Sequence, residues 1–254
     1  MQNRGMKMLL LGLATLLITI AVLSTVKPSS AEPTGPNNLT VIKVERKPYW
    51  GPQSLDVIAG NVTEITIFSE SVTRRWAGVF GNISGTIVLM DANNNTLYDW
   101  SVASPQGEIY ASRANALSWS SIRCANYSER AAEDVFLNAS ATEEDAPRYT
   151  FLNTTEQSRD GDHTGPGHPL FYVGSIQINA STCYAVKLYN SSRTYGNFTE
   201  VLLSDGTNLI YTALLAEDSD GFDGATHDFE MLLAENGYGT DTQTTTYYFW
   251  VEIE

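Results

Sequence analysis

The sequence predicts an all-β protein, a β-sandwich of Ig-like or jelly-roll-like type with one short helix and a long loop insertion. Three observations carry that reading. Short runs rich in β-branched and aromatic residues recur along the chain, most of them bounded by Gly, Asn, Asp or Ser. Several alternate with period two. The clearest is the last, where Tyr247, Phe249, Val251 and Ile253 take one face and Tyr248, Trp250, Glu252 and Glu254 the other. Only the stretch 126–137 carries helix signals.

From the N-terminus, residues 1–31 read as a secretory signal peptide. Arg4 and Lys7 precede an apolar run, and Ser29-Ser30-Ala31 supplies small residues for cleavage. A retained anchor is the alternative, because that run is nearly long enough to cross a bilayer. A prepilin-type leader cut after Gly5 is a third reading, against which Lys7 would place a charge inside the surviving helix. Residues 32–52 then form an extension in which a Pro/Gly/Asn tether leads to a candidate donor strand at 39–45. Pro48 and Pro52 interrupt it. The predicted sandwich domain is 53–254.

Further strands are expected at 62–68, 84–90, 97–102, 108–112, 171–178, 183–189, 199–203, 209–215, 228–233 and 245–253. The stretch 74–112 reads as a hairpin turned by Asp91-Ala-Asn-Asn-Asn. The insertion, 126–169, opens on a helix with Asn126 as N-cap and Glu129 at the capping-box position. It is too long for an idle connection, which makes it a place for partner contacts.

Ten asparagines begin N-x-S/T with no intervening proline: Asn38, Asn61, Asn82, Asn94, Asn126, Asn138, Asn153, Asn179, Asn190 and Asn197. Composition alone would give about three, so N-linked glycans and an extracellular location are expected. In that compartment Cys124 and Cys183 predict a disulfide, the alternative being two separate buried thiols. The net charge of −14 excludes nucleic acid as a natural partner, since Arg46-Lys47 and Arg74-Arg75 are only short basic pairs.

The sequence contains no Gly-x-Ser-x-Gly elbow, no Cys/His arrangement and no HExxH, so an enzyme is not expected. The acidic segment 217–224 reads either as an acidic hairpin turn or as a calcium loop with Asp218, Asp220, Asp223 and Asp228 as ligands. Calcium is the one cofactor suggested. His163 and His168, near Asp160 and Asp162, read as loop residues more readily than as a metal or catalytic set. Trp50, Trp76, Trp100 and Trp119 would stack on sugars if exposed, although large aromatics in β-proteins more often belong to the core.

The segments RWAGVFGNISGTIVLMDANNNTLYDW, SPQGEIYAS and SIRCAN, with DGFDGATHDFEMLLAENG and the closing TTTYYFWVEIE, resemble a group of secreted, sequon-rich archaeal surface proteins of uncharacterised function. The resemblance covers roughly three quarters of the mature chain. It implies a place in a glycoprotein lattice or filament and no catalytic residue.

Together these readings predict a secreted, heavily glycosylated structural protein, a subunit of an extracellular filament or surface layer. The rival is an adhesin or glycan-binding module, calcium-dependent in one version. Subunit contacts are expected at Leu39, Val41 and Val44, as a donated strand, the alternative being an ordinary first strand of the same sandwich, and at Arg74, Arg75 and Trp76, as a dock for an acidic loop, the equal alternative being a core Trp76 with locally paired arginines. The partners would be further copies or other surface glycoproteins, with membrane contact only through an uncleaved signal segment.

Overall fold

The computed structural model describes residues 32–47, 51–101, 106–140, 142–236 and 244–253. The signal-peptide reading, Trp50 and Glu254 lie outside them. In chain order the elements are β1 (Trp76–Gly81), β2 (Thr86–Met90), β3 (Thr96–Ser101), β4 (Gly107–Ser112), a 3-10 turn (Trp119–Ser121) and β5 (Arg123–Cys124). The helices α1 (Tyr127–Phe136) and α2 (Pro147–Thr150) follow. Next come β6 (Phe171–Val173), β7 (Ile176–Ile178), β8 (Ala185–Tyr189), β9 (Tyr195–Ser204) and β10 (Leu209–Leu214). The last are β11 (Ser219–Asp220), β12 (Thr226–His227), β13 (Phe229–Ala234) and β14 (Tyr248–Ile253). The protein is sheet-rich with two short helices, and its sheets are small and unclosed.

A six-stranded antiparallel sheet organises the molecule, in the order β14-β4-β10-β9. Both β5 and β8 pair with the far side of β9. The β9–β10 hairpin turns at 205–208, where Asp205 Oδ1 accepts the backbone N–H groups of Thr207 and Asn208, as Asx turns do. Both faces of this sheet are covered, so β9 is buried without a break from Phe198 to Ser204 instead of alternating. Leu202 joins a core with Ile109, Tyr211, Met231 and Leu233, while Val201 and Leu203 join the opposite core with Tyr110, Val173 and Ile210. Each such side chain contributes roughly 1.5–3 kcal/mol by leaving water.

The first face is covered by an antiparallel ribbon of β1 and β13, in register from Trp76 opposite Ala234 to Gly81 opposite Phe229. The helical insertion also packs there through Leu137 and Phe151, both buried. The second face is covered by the β6–β7 hairpin and by Trp119 and Trp250. The single strand expected over 171–178 is this hairpin. Gly174, at φ 54, takes the left-handed conformation a two-residue turn demands, so the chain reverses at 174–175.

Helix α1 begins as expected. Asn126 Oδ1 accepts the N–H of Glu129 at 3.0 Å, and Glu129 Oε2 accepts the N–H of Asn126 at 2.7 Å. Its docking is ionic. Three charged residues are buried on it, and all are paired: Arg130 with Glu156 at 2.6 Å, Asp134 with Arg148 at 2.8 Å, and Glu133 with Arg113. The insertion is thus part of the core, and Leu152 bridges to Ala185 on β8.

Two expected strands are absent. Among the described residues of 35–75 none belongs to a strand, although 39–45 and 62–68 have the same alternation as buried strands. Conversely β1 was not foreseen, because WAGVFG holds two glycines and reads weakly as a strand. Pairing with β13 recruits it.

Candidate functional site

The expected disulfide is present. Cys124 and Cys183 are joined, their Cα atoms 4.9 Å apart, and the bridge ties the root of the insertion to the sheet. His168 supports it. Its Nε2 accepts the backbone N–H of Cys183 at 3.0 Å, and its Nδ1 lies 2.8 Å from the carbonyl oxygen of Pro169, so the neutral ring donates from Nδ1 and accepts at Nε2. Burial lowers its pKa, keeping that neutral form. Both ring nitrogens are committed to backbone, while His163 packs against the ring of Tyr195.

The acidic segment forms a compact turn. Asp228, buried, accepts the N–H of Ile83 through Oδ2 at 2.8 Å and that of Asp218 through Oδ1 at 3.1 Å. Asp223 accepts the N–H of Ala225 and pairs with His227 Nε2 at 3.0 Å. The first of these contacts, then the second, holds its carboxyl below the usual range. Burial pushes Glu230 up, although it accepts the N–H of Phe222. Among the described residues no three His, Cys, Asp or Glu side chains stand together as a metal-ligand set. Asp218, Asp220, Asp223 and Asp228, read from the sequence as calcium ligands, are all among the described residues and form no such set.

The predicted basic dock is likewise used internally. Arg75 pairs with Glu143 and Asp145, each at 2.7 Å, and Trp76 Nε1 donates to the carbonyl oxygen of Asp145 at 2.7 Å. The Trp76 ring packs on Phe151 at 5.7 Å. The acidic loop that Arg75 meets is the chain's own, 143–145, and only Arg74 of the trio is exposed. Trp119 also packs inward, against Tyr110 and Trp250.

A second buried polar node holds the β6–β7 turn. Glu252 stands opposite Glu108 in the ladder and accepts the Tyr110 hydroxyl at 2.9 Å and the Gly174 N–H at 2.9 Å. Burial and the two carboxylates push the Tyr110 hydroxyl well above its ordinary pKa.

None of the ten sequon asparagines is buried; Asn153 and Asn190 are half-buried and the others exposed. Their structural hydrogen bonds favour one atom. Oδ1 caps α1 at Asn126, accepts three bonds at Asn153 and three at Asn190, and accepts Gln177 Nε2 at Asn179. A glycan attaches to Nδ2, which leaves these bonds intact. At Asn38 and Asn197, Nδ2 itself donates, and a substituted amide retains one hydrogen for that purpose.

The most unusual surface is apolar. The hairpin of β2 and β3 pairs Ile87 with Trp100 and Leu89 with Tyr98, which places all four side chains on one face. That face has no core beneath it, and Trp100 is 51% exposed. The arm at 35–73 is similar, with Ile42 95% and Val44 87% exposed. Leu39, Val41 and Val44, expected as a donated strand, are exposed and belong to no strand. The exposure of the apolar face of β2–β3 was missed. Its signal is the cross-strand register, countable from the 91–95 turn.

The best-formed cavities among the described residues are shallow. One of about 260 Å³ lies beside the disulfide and one of about 420 Å³ beside the 91–95 turn, and neither holds a histidine or lysine. Among the described residues no helix is long and apolar enough to cross a membrane. No family model, curated protein or solved structure matches the chain.

Proposed function

We propose that this protein is a secreted, N-glycosylated structural subunit of an extracellular filament or surface layer, built by association of further copies. The observation that carries this is the exposed apolar material at 39–45, 62–68 and the β2–β3 hairpin, left over after a complete double core has formed elsewhere. A monomer meant to remain single rarely keeps such a surface in water. Ten accessible sequons support the extracellular setting, and they stand clear of the core, so glycans on all of them are compatible with folding. The resemblance to archaeal surface proteins points the same way. In this reading the domain is an irregular β-sandwich, with the β1–β13 ribbon facing the six-stranded sheet.

Negative-stain microscopy and sedimentation of the native glycoprotein test it: filaments or sheets are expected, and a monodisperse monomer at high concentration would refute it. The adhesin reading is favoured by one feature, the exposed Tyr98 and Trp100 rings with centroids 4.9 Å apart, which offer a stacking surface for sugar. Glycan-array binding lost on Trp100→Ala, without any polymer, would select it.

A further inference from the structure

The start of the predicted mature chain is seated on the central sheet. Thr34 and Val251 exchange both backbone hydrogen bonds: the Thr34 N–H donates to the Val251 carbonyl oxygen at 3.1 Å, and the Val251 N–H to that of Thr34 at 2.8 Å. Residues 32–34 therefore run antiparallel along the edge of β14 that faces away from β4. Carrying this register onward sets Pro33, which is buried, beside Glu252, and Glu32 beside Ile253. Glu32 also meets the β6–β7 turn. Its Cα lies 3.9 Å from the point a Cβ on Gly174 would occupy.

The same turn covers a carboxylate held by neutral donors. The Gly174 N–H lies 2.9 and 3.1 Å from the two oxygens of Glu252. The Tyr110 hydroxyl donates to Glu252 Oε2 at 2.9 Å and stands 3.4 Å from Glu108 Oε2. Glu252 is 2% exposed, and Glu108, directly opposite in the ladder, is 5% exposed. Carboxylates facing each other across antiparallel strands repel, and a buried one is costly until a cation meets it.

We propose that the α-ammonium group of Glu32, freed when the signal peptide is removed after Ala31, pairs with the buried Glu252 carboxylate beside the β6–β7 turn, so that loss of the leader completes this end of the fold. This rests on the secretion reading above.

Charge and placement select the amino group. While Ala31 is attached, the nitrogen of Glu32 is a neutral amide. Hydrolysis of that bond consumes one water, whose oxygen goes to the Ala31 carbonyl carbon to leave a carboxylate and whose two hydrogens go to the Glu32 nitrogen to leave an ammonium. A positive charge thus arises one bond, about 1.5 Å, from a Cα already held against the turn. The Thr34–Val251 pair fixes the chain two residues behind it, so little ordering entropy remains to oppose the contact.

The test uses the full secreted chain. N-terminal sequencing should place Glu32 first. At neutral pH its α-amino group should react with acetic anhydride at least about tenfold more slowly than in the Glu252→Gln variant, because pairing withholds the neutral amine. Lys43, which is exposed, should react alike in both proteins. A second measurement moves the amino group instead of the carboxylate. One glycine inserted between Ala31 and Glu32, with cleavage after Ala31 verified by mass, displaces the ammonium by about 3.4 Å. The insertion should lower the melting temperature by about 4 °C or more in wild type and by less than about 1 °C in Glu252→Gln. Equal amine reactivity in the two proteins, or equal losses in the two backgrounds, overturns the inference. If Glu252→Gln does not fold, an insertion that leaves the wild-type melting temperature unchanged overturns it. A surface protein that keeps its leader, or begins at another residue, removes the inference and leaves the surface reading standing. A chain that is never exported removes both.

Discussion

Glu200 on β9 accepts the backbone N–H of Leu232 on β13 at 2.7 Å through Oε2, joining the central sheet to the ribbon that covers it. The residue is fully buried, and Oε1 has no hydrogen-bond partner among the described residues. Burial pushes its pKa well above the carboxylate range. The folded state therefore holds a proton that the unfolded chain releases above about pH 4.3, so Glu200 costs stability progressively as pH rises from there towards its folded pKa. Glu200→Gln keeps an acceptor for Leu232 and removes this titration. The melting temperature of the variant relative to wild type should rise between pH 4 and pH 7, and a constant difference would contradict the assignment.

His168 titrates with the opposite consequence. Its folded pKa is lowered, so its contribution is complete above the unfolded value of about 6.5 and is lost as pH falls through the folded pKa. Protonation at Nε2 removes the acceptor of the Cys183 N–H. His168→Ala should cost about 1–3 kcal/mol at pH 7.5 in urea melts and less at pH 5.

The Cys124–Cys183 bridge closes a separation of 59 residues. In the chain-entropy account, replacing both cysteines with serine should lower unfolding free energy by about 4 kcal/mol. Guanidinium melts of the double variant read this directly, with no change expected in the sheet's far-UV signature under native conditions.

Asp228 connects the chain after β1 to the acidic turn through its bonds to Ile83 and Asp218. Asp228→Ala strands two N–H groups and should destabilise by about 2–4 kcal/mol, measured by thermal melting. Because this carboxylate is engaged by backbone, millimolar calcium or EDTA should leave the wild-type melting temperature unchanged.

Local signals read well from the sequence. Asn126 and Glu129 form the capping box that their spacing announces, because such contacts span only three residues. Cys124 could bond only to Cys183, and Asn179 lies outward because Ile176 and Ile178 on its strand point in. Pairing across long distances was not legible. Trp76 and Arg75 could face a neighbour or the chain's own 143–145 loop with equal local plausibility, and the insertion's position beside β1 decides it.

By itself the sequence determined a sheet-rich chain, one capped helix, a disulfide and outward sequons, since each depends on residue type and short-range period. Only the tertiary structure decided which alternating segments are buried. The run 199–203 and the run 62–68 are both short and β-branched, yet the first is sealed between two cores and the second is exposed throughout. The physical reason is that alternation creates an amphipathic face at the scale of neighbouring residues, whereas covering that face requires a partner whose register is set across the whole chain. Where the chain supplies none, as at Ile42, Ile65 and Leu89, the pattern remains and the side chains stay exposed.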